Sequence, residues 1–350
     1  MNPIDESTLK GFKYFKPLWP ILKNLPQEPS HPPRQLHYDQ YLCFILFYFF
    51  NPTLSGVRSI QKASQLEKVQ NVLGVKSTSL GSFSEAGNVF DYTLLPPMVK
   101  ALAQKALPQE IDPRLKDLEK TLVAFDGSLL PALPKMIWAL WLDEDHKAAK
   151  LHLEFDLLKS VPTQASLTDG NGNEKTILRK QLRSGKIYVV DAGYAQYSLL
   201  EDILKARSSF VCRLRDNAVW ETLYEKQLSP EDRQAGVQRD LVVHLGSKVK
   251  QDDLSTPVRV IEIHHFDPVP RRRPSRVSSK KTFRTRDGNY TLLIVTDLLE
   301  LPAELIALIY RFRWQIELFF RWFKCILKCQ HFLSLSQNGL AIQVYCALIA

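Results

Sequence analysis

The chain has 350 residues, of which 45% are hydrophobic and 24% charged, as expected for a globular protein of two or three domains. Its formal net charge of +9 indicates an anionic partner, and nucleic acid is the commonest partner of that kind. The apolar stretch at residues 41–50 is too short to cross a bilayer, and the N-terminus lacks the apolar segment of a signal peptide, so the sequence predicts a cytoplasmic protein.

Residues 1–115 are predicted to form a helical N-terminal domain, because apolar residues recur there at helical spacing between Pro-rich and Ser-rich breaks. Basic side chains on this segment suit DNA binding, but the segment also suits a plain helical cap. No helix-turn-helix signature decides between the two roles, so both stay open. The basic residues concerned are Lys10, Lys13, Lys16, Arg58 and Lys62.

Residues 116–216 change to short apolar runs that are typical of strands. We expect a loop rich in Thr, Asp, Gly and Asn at 163–174 and a helix at 198–206. This order predicts an α/β fold with a mixed five-stranded sheet and helices on its faces. The predicted strands are residues 121–125, 137–142, 148–158, 186–190 and 209–214.

Residues 217–300 are predicted to be rich in β-structure, with strands at 240–245, 258–266 and 289–296. Between the last two strands, residues 271–286 hold eight basic residues and no acidic one. Such a segment cannot bury a core, so we expect a loop that binds phosphates or stays disordered. Its candidate DNA-binding residues are Arg271, Arg272, Arg273, Lys280 and Lys281.

Residues 301–350 are predicted to contain a long helix at 310–328 and then an apolar helix at 338–350. One face of the long helix is apolar, whereas the other is basic and aromatic with a single acid, Glu317. This face suits phosphate binding, although a solvated face on which Glu317 offsets its neighbours is the plainer alternative. The remaining residues of this face are Tyr310, Arg313, Arg321, Lys324 and Lys328.

Two aspartates, Asp126 and Asp191, each follow a predicted strand. Either one alone is typical of an ordinary turn. Functional groups gather at the carboxyl ends of strands in open α/β sheets, so the two aspartates and Glu317 could meet there. Three such carboxylates would suit Mg²⁺ or Mn²⁺, which take oxygen ligands and leave positions open for a substrate phosphate.

The spacing of Tyr310, Arg313, Glu317 and Lys324 resembles the Y-x-x-R-x-x-x-E-x-x-x-x-x-x-K signature of bacterial insertion-sequence DDE transposases of the insertion sequence four-type family. VAFDGS around Asp126 and VVDAGY around Asp191 are also similar to that family. The resemblance covers roughly residues 35–350.

This resemblance implies an RNase H-like catalytic core that is interrupted by a β-rich insertion at 217–300. It implies that Asp126, Asp191 and Glu317 bind two Mg²⁺ (or Mn²⁺) ions. It also implies that the protein cuts double-stranded DNA at the element's terminal repeats and transfers the freed 3′-hydroxyl to target DNA. Tyr310, Arg313 and Lys324 would hold phosphates near the cut end. Lys328, outside the signature, would extend this track. A homodimer that synapses two element ends, in a protein associated with the bacterial nucleoid, is implied too.

Two alternatives stand beside the transposase. One is a catalytically silent or truncated DNA-binding derivative of such a transposase. The acidic triad does not distinguish it from the active enzyme, because both would keep the three acids. Relatives usually continue with a further helical segment past Ala350, which makes truncation a real alternative. The other is a hydrolase of RNA–DNA hybrids, which needs neither the basic insertion nor the long basic helix.

Three further residues are ambiguous in the sequence. His152 is expected to be an ordinary strand histidine rather than a neighbour of the metals. Trp322 is expected to pack, whereas Trp314 borders the basic face and could equally stack on a displaced base.

Overall fold

The computed structural model describes residues 6–23, 36–109, 112–143, 146–247, 252–266, 289–327 and 332–350. Six predicted DNA-binding residues therefore lie outside the described part and stay predictions: Lys328, Arg271, Arg272, Arg273, Lys280 and Lys281. Among the helices that are described, none combines the length and the apolar character needed to traverse a bilayer.

Helices dominate the described residues before 120, and one of them, α2, is apolar over most of its length. Residues 41–48 of α2 are all buried, so this helix is enclosed on every side rather than lying on the surface. Whether the region forms a separate DNA-binding domain stays a prediction. The helices are α1 (Trp19–Leu22), α2 (Tyr38–Phe50), α3 (Val57–Ala63), α4 (Glu67–Leu73), α5 (Leu80–Val89), α6 (Pro96–Lys105) and α7 (Pro113–Lys116).

The rest of the chain builds one mixed sheet with helices on both faces, which confirms the α/β class in its general form. The strands are β1 (Thr121–Pro131), β2 (Ala148–Asp156), β3 (Val161–Asp169), β4 (Lys186–Val190), β5 (Ser209–Arg213), β6 (Trp220–Glu225), β7 (Val237–Ser247), β8 (Asp252–Asp253), β9 (Val258–Phe266) and β10 (Asn289–Thr296). The helices are α8 (Glu174–Gln181), α9 (Tyr197–Lys205), α10 (Pro230–Gln234), α11 (Ala303–Phe312), α12 (Trp314–Leu327) and α13 (Gln337–Ile349).

Within the described residues the sheet has ten strands, twice the five predicted for it, because β6–β10 of the predicted β-rich segment 217–300 join it. The path runs β3-β2-β1-β4-β5-β10-β9-β7-β6, and β8 pairs with β7. Strands β1, β2 and β3 are antiparallel neighbours, whereas β4 is parallel to β1 and β5 is parallel to β4. Antiparallel β10 pairs with β5, for example Thr296 with Val211, and so gives β5 the backbone partners that an edge strand would lack.

Two predictions for the strands and loops of the sheet were wrong. Residues 137–142 form turns and bends rather than a strand, and Ile137, Leu140 and Leu142 are exposed instead of packing on a sheet face. The predicted loop at 163–174 is largely strand β3, whose polar residues are accommodated at the edge of the sheet. Pro162 sits near a bulge in this edge pairing, where proline is tolerated.

The two faces of the sheet have separate apolar cores. One core joins β1, β2 and β4 to helices α2, α11, α12 and α13 through residues such as Ala124, Val189, Ile309 and Ile316. The other core packs α8 and α9 against the opposite face through residues such as Phe125 and Tyr194. This layering fixes the ends of β1 and β4 between α8 on one side and α11–α12 on the other.

Candidate active site

Asp126 and Asp191 occupy matching positions just past the end of the β1–β4 pairing. The parallel pairing of β1 and β4 matches Ala124 with Val189, so two residues further along both strands the register brings Asp126 opposite Asp191. Because side chains alternate along a strand, both aspartates share the sheet face of Ala124 and Val189. This is the face that carries α11 and α12.

Local backbone geometry holds each aspartate in the same way. Asp126 accepts a hydrogen bond from the backbone N–H of Gly127, and Asp191 accepts one from that of Ala192, each at 2.8 Å. Asp191 thereby caps the short turn that ends β4, while β1 continues past Asp126 in its pairing with β2. The two carboxylates therefore stand at the carboxyl end of a parallel strand pair, where open sheets place functional groups.

The predicted long helix is two helices, since α11 ends at Phe312 and α12 begins at Trp314. At the break, the N–H of Arg313 bonds to the carbonyl of Tyr310, and the N–H of Ile316 bonds to the carbonyl of Arg313. These i to i+3 bonds tighten the chain locally, which regular α-helical spacing from the sequence did not anticipate.

Tyr310, Arg313 and Glu317 nonetheless lie together above the strand ends. The Tyr310 hydroxyl donates to Oδ1 of Asp191 at 3.2 Å, and the Arg313 guanidinium donates to Oε1 of Glu317. The guanidinium carbon of Arg313 lies 5.7 Å from the centre of the Tyr310 ring, a cation–π distance. Across the sheet, Nη1 of Arg213 lies 4.0 Å from Oδ1 of Asp191. The structure thus links Tyr310 to Asp191 directly, and Arg313 and Glu317 through Tyr310.

Asp126 is coupled to the same group through electrostatics. Burial raises the pKa of Asp126 to about 6, the Gly127 N–H and Arg313 oppose this rise, and the carboxylates of Glu174 and Glu317 add to it. Burial also raises the pKa of Tyr310, with Asp191 contributing next. For Arg313, burial acts to lower the pKa, but Tyr310, Asp191 and Glu317 together raise it, so the guanidinium stays charged.

The carboxylates of Asp126, Asp191 and Glu317 suit a hard divalent cation, because such ions bind oxygen ligands and offset the negative charges. In the described part of the chain, no three acidic, histidine or cysteine side chains are already drawn together as a finished metal cluster. Glu317 in particular is paired with Arg313. Cation binding by all three acids would therefore require Glu317 to turn away from Arg313.

The comparison with known proteins identifies the family to which this arrangement belongs. The Transposase DDE domain family matches residues 117–350, which include Asp126, Asp191 and Glu317. The chain belongs to this family.

Curated relatives of this DDE transposase domain come from bacteria. One is y4zB of Sinorhizobium fredii, a protein named as a transposase, with 31% identity over 206 residues, 58% of this chain and 52% of that protein. Another, from Geobacillus stearothermophilus, is named as a transposase for the insertion sequence element IS5377, with 26% identity over 67% of this chain and 54% of that protein. The chain spans about half the length of these relatives.

Among solved structures, the piggyBac transposase synaptic complex with hairpin DNA is similar to this chain. Its TM-score is 0.45 and its sequence identity is 10%, with coverage of 94% of this chain and 68% of that one.

Around the site of this DDE transposase domain, Arg313 has one further feature. Its side chain is only 12% exposed, and its Nε is buried without a hydrogen-bond acceptor among the described residues. A buried donor in this state favours an acceptor from outside the chain, such as a phosphate oxygen. Lys324 is half-buried on α12, so the predicted phosphate-binding residues that are described share the α11–α12 unit.

The ambiguous residues have distinct environments. His152 is buried, and its Nε2 lies 2.9 Å from Oγ1 of Thr168, as fits a strand histidine with a structural role. Burial lowers its pKa to about 4, so it is neutral at physiological pH. Trp314 and Trp322 are 44% and 52% exposed. The ring of Trp322 contacts Phe319 at 5.6 Å, so the expected packing covers only part of it.

Sequence reasoning missed two features beside the site. Glu174, at the start of α8, lies against Gly127, the residue after Asp126. The N-cap preference of Asn173 was the available signal, since it places Glu174 in the first helical turn. The second feature is a cleft of about 640 Å³ whose polar and charged lining residues are Lys175, Gln196, Arg215 and Asn217. Nε of Arg215 donates to the carbonyl of Ala192 at 3.4 Å, so this cleft adjoins Asp191.

Proposed function

We propose that this chain acts as the DNA transposase of an insertion sequence, cutting DNA at the element's ends and transferring the freed 3′-hydroxyl to target DNA. The proposal rests above all on one observation, the placement of Asp126 and Asp191 in register beneath the Tyr310–Arg313–Glu317 group. Family membership over residues 117–350 supports it, as do relatives that are named as transposases for insertion sequences.

We further propose that β1–β5 and their flanking helices are an RNase H-like core and that the domain belongs to the insertion sequence four-type group. The order β3-β2-β1-β4-β5, with three antiparallel strands followed by two parallel ones, supports the first point. The signature residues Tyr310, Arg313 and Glu317, which contact one another or Asp191, support the second.

The residues of the site have separate roles in this reaction. Asp126, Asp191 and Glu317 would hold two Mg²⁺ or Mn²⁺ ions, which when bound activate the attacking oxygen and stabilise the leaving oxygen of a phosphodiester. Tyr310 fixes the orientation of Asp191 through its hydroxyl. Arg313 neutralises Glu317 and can exchange this partner for a DNA phosphate, since both are oxyanions that a guanidinium binds through paired donors.

The DNA would run from the α11–α12 unit into the cleft beside Asp191. Arg313 and Lys324 offer positive charge on the helices, and Lys175 and Arg215 offer it in the cleft. Phosphate contacts of this kind hold the strand in place without reading its sequence. Lys328 and the basic loop at 271–286 are proposed to extend the contacts. We also propose that a homodimer synapses two ends.

The test is a nicking assay with purified protein, duplex DNA that carries an element end, and Mg²⁺ or Mn²⁺. We expect the wild type to nick the duplex at the element end, whereas Asp191→Ala binds the same DNA and leaves it intact. Equal nicking by both proteins would refute the assigned site. Tight binding without nicking by the wild type would refute the catalytic proposal and support the DNA-binding derivative instead.

A further inference from the structure

Residues 297–302 connect β10 to α11. They leave a strand that pairs with β5, and they enter the helix that carries Tyr310. Strand β5 pairs in turn with β4, after which Asp191 follows. The path of this connection is therefore one determinant of where Tyr310 lies relative to Asp191.

Arg259 of β9 holds the connection by its backbone. The Arg259 side chain is only 2% exposed. Its Nη1 donates to the carbonyls of Leu298 and Leu299 at 3.3 and 3.4 Å, and also to that of Leu301. Its Nε and Nη2 donate to the two carboxylate oxygens of Asp240 on β7, at 2.6 and 2.5 Å. The carboxylate thus fixes the plane of the guanidinium, whose other arm supplies donors to the carbonyls of an irregular segment.

Two further side chains from the segment 217–300 reach the connection and the start of α11. Nζ of Lys226, which follows β6, donates to the carbonyl of Leu299 at 2.5 Å. Oδ1 of Asp232 on α10 accepts from the backbone N–H of Glu304, in the first turn of α11, at 2.8 Å. The residue at the N-cap of α11 is a proline and supplies no side-chain acceptor. Asp232 therefore satisfies a donor that the cap of the helix itself leaves open.

A purely stabilising role is the competing explanation for the buried pair of Arg259 and Asp240. Apolar side chains of similar volume often stabilise a protein as well as a buried ion pair does, so the pair by itself is weak evidence for stabilisation. The contacts of Arg259 favour a positioning role. An apolar side chain would leave the carbonyls of the connection without these donors, and lysine lacks the planar fork that contacts the carboxylate and the carbonyls at once.

We propose that Arg259 is a positioning residue for the proposed reaction: it fixes the start of α11 and so keeps the Tyr310 hydroxyl within reach of Asp191. Asp240 orients the guanidinium for this task. The inference rests on the proposed function, because Tyr310 and Asp191 act there in DNA cleavage. It assigns to the strands of 217–300 a part in holding the site together, separate from any contact with DNA.

The test is a double-mutant cycle of Arg259→Lys and Tyr310→Phe in the full chain, read as the single-turnover nicking rate per folded molecule. Arg259→Lys keeps a positive charge and loses the fork. We expect it to lower the rate about tenfold, since a misplacement of about 1 Å can cost still more. When Tyr310→Phe has already removed the bond to Asp191, the same change should cost less than about threefold. Arg259→Lys should leave DNA affinity unchanged, because the side chain is buried.

Two other variants distinguish positioning from a general loss of stability. Arg239→Lys is the matched control, because this exposed arginine on β7 pairs with Glu225 and Glu262, and it should nick like the wild type. Lys226→Met removes a single bond to the connection. It should give a smaller loss of rate that is coupled to Tyr310→Phe in the same way.

Hydrogen exchange without DNA or metal ions gives a readout that does not depend on cleavage. In Arg259→Lys, the amides of α11 should exchange faster than in the wild type, because the start of this helix is held less firmly. The amides of α9, which packs on the opposite face of the sheet, should exchange at the same rate in both proteins.

The possible results separate this inference from the proposed function. If Arg259→Lys nicks like the wild type, or costs the same factor with and without the Tyr310 hydroxyl, the inference is refuted and the proposed function stands. If Arg259→Lys does not fold, the cycle with Lys226→Met decides, and an additive loss refutes the inference. If the wild type does not nick, the proposed function is refuted. The exchange of α11 then decides whether Arg259 places that helix, and an unchanged rate refutes it.

Discussion

The hydroxyl of Tyr310 donates a hydrogen bond of 3.2 Å to Asp191, joining α11 to the end of β4. Tyr310→Phe removes this bond and leaves the ring in place. A hydrogen bond to a charged group contributes about 1.5–3 kcal/mol, so we expect the nicking rate to fall roughly tenfold or more. The measurement is single-turnover cleavage at several Mg²⁺ concentrations, and the loss should be greatest at low Mg²⁺.

Tyr345→Phe is the matched control for that variant. The Tyr345 hydroxyl is buried and donates to the carbonyl of Ala165 at 2.7 Å, away from the aspartates. Its loss should lower the thermal stability and leave the cleavage rate per folded molecule unchanged. Equal cleavage rates for Tyr310→Phe and the wild type would show that the bond to Asp191 has no part in the reaction.

Arg313 is expected to have two opposing effects, which Arg313→Lys separates. Lysine keeps the charge but loses the paired donors of the guanidinium, so the DNA phosphate is positioned less well and the maximal rate should fall about tenfold. Glu317 loses its strong partner at the same time, so half-maximal cleavage should need less Mg²⁺. Arg311→Lys, an exposed change two residues earlier in α11, should alter neither quantity. If Arg313→Lys instead needed more Mg²⁺ for half-maximal cleavage, the idea that Glu317 and a DNA phosphate compete for Arg313 would be contradicted.

The raised pKa of Asp126 predicts a pH dependence of stability in metal-free protein. The pKa is about 6 in the folded chain against an ordinary value of 3.8, so the folded state binds this proton more tightly. The stabilisation is complete below about pH 4 and is lost as the pH rises through 6. Asp126→Asn should remove this dependence and gain stability relative to the wild type at pH 7.5, by up to about 3 kcal/mol. Urea unfolding in a chelator between pH 4.5 and 7.5 measures the free energy of unfolding of both proteins. If this free energy changes with pH in the same way for both, the raised pKa of Asp126 is excluded.

Arg215 in the cleft beside Asp191 should contribute one phosphate contact. Arg215→Ala is expected to weaken DNA binding and to reduce the slope of log K against log salt by about one. Arg239→Ala is the matched control, because Arg239 is exposed and paired with Glu225 at 3.2 Å on a different strand pair. Fluorescence anisotropy over a range of salt concentrations gives both slopes. An unchanged slope for Arg215→Ala would exclude the cleft from the DNA path.

Local sequence patterns predicted those strands whose residue types by themselves indicate a buried strand. Residues 186–190, 258–266 and 289–296 are strands in the structure as in the sequence, because runs of β-branched residues suit buried strands. The turn at residues 137–142 was missed, since apolar content alone does not distinguish a strand from an exposed turn. The pairing of β10 with β5 was missed because strand pairing depends on partners that are distant in sequence.

The candidate site was predictable only in part for the same reason. Asp126, Asp191 and Glu317 were identified from strand ends and from motif spacing, and their roles as ligands stay a prediction. The break at Arg313 depends on how α11 and α12 pack on the sheet, which helical periodicity does not report. Glu174 lies beside Gly127 only because α8 packs over this part of β1. Such contacts follow from the folded chain and not from any short sequence window.

The most direct test of the account is the position of a cation in crystals of the full chain soaked in Mn²⁺, located by anomalous scattering. The account predicts a peak within coordination distance of carboxylate oxygens from both Asp126 and Asp191, with Glu317 turned from Arg313 toward it. A peak that touches neither aspartate, or Mn²⁺ held elsewhere while Glu317 stays on Arg313, would contradict it.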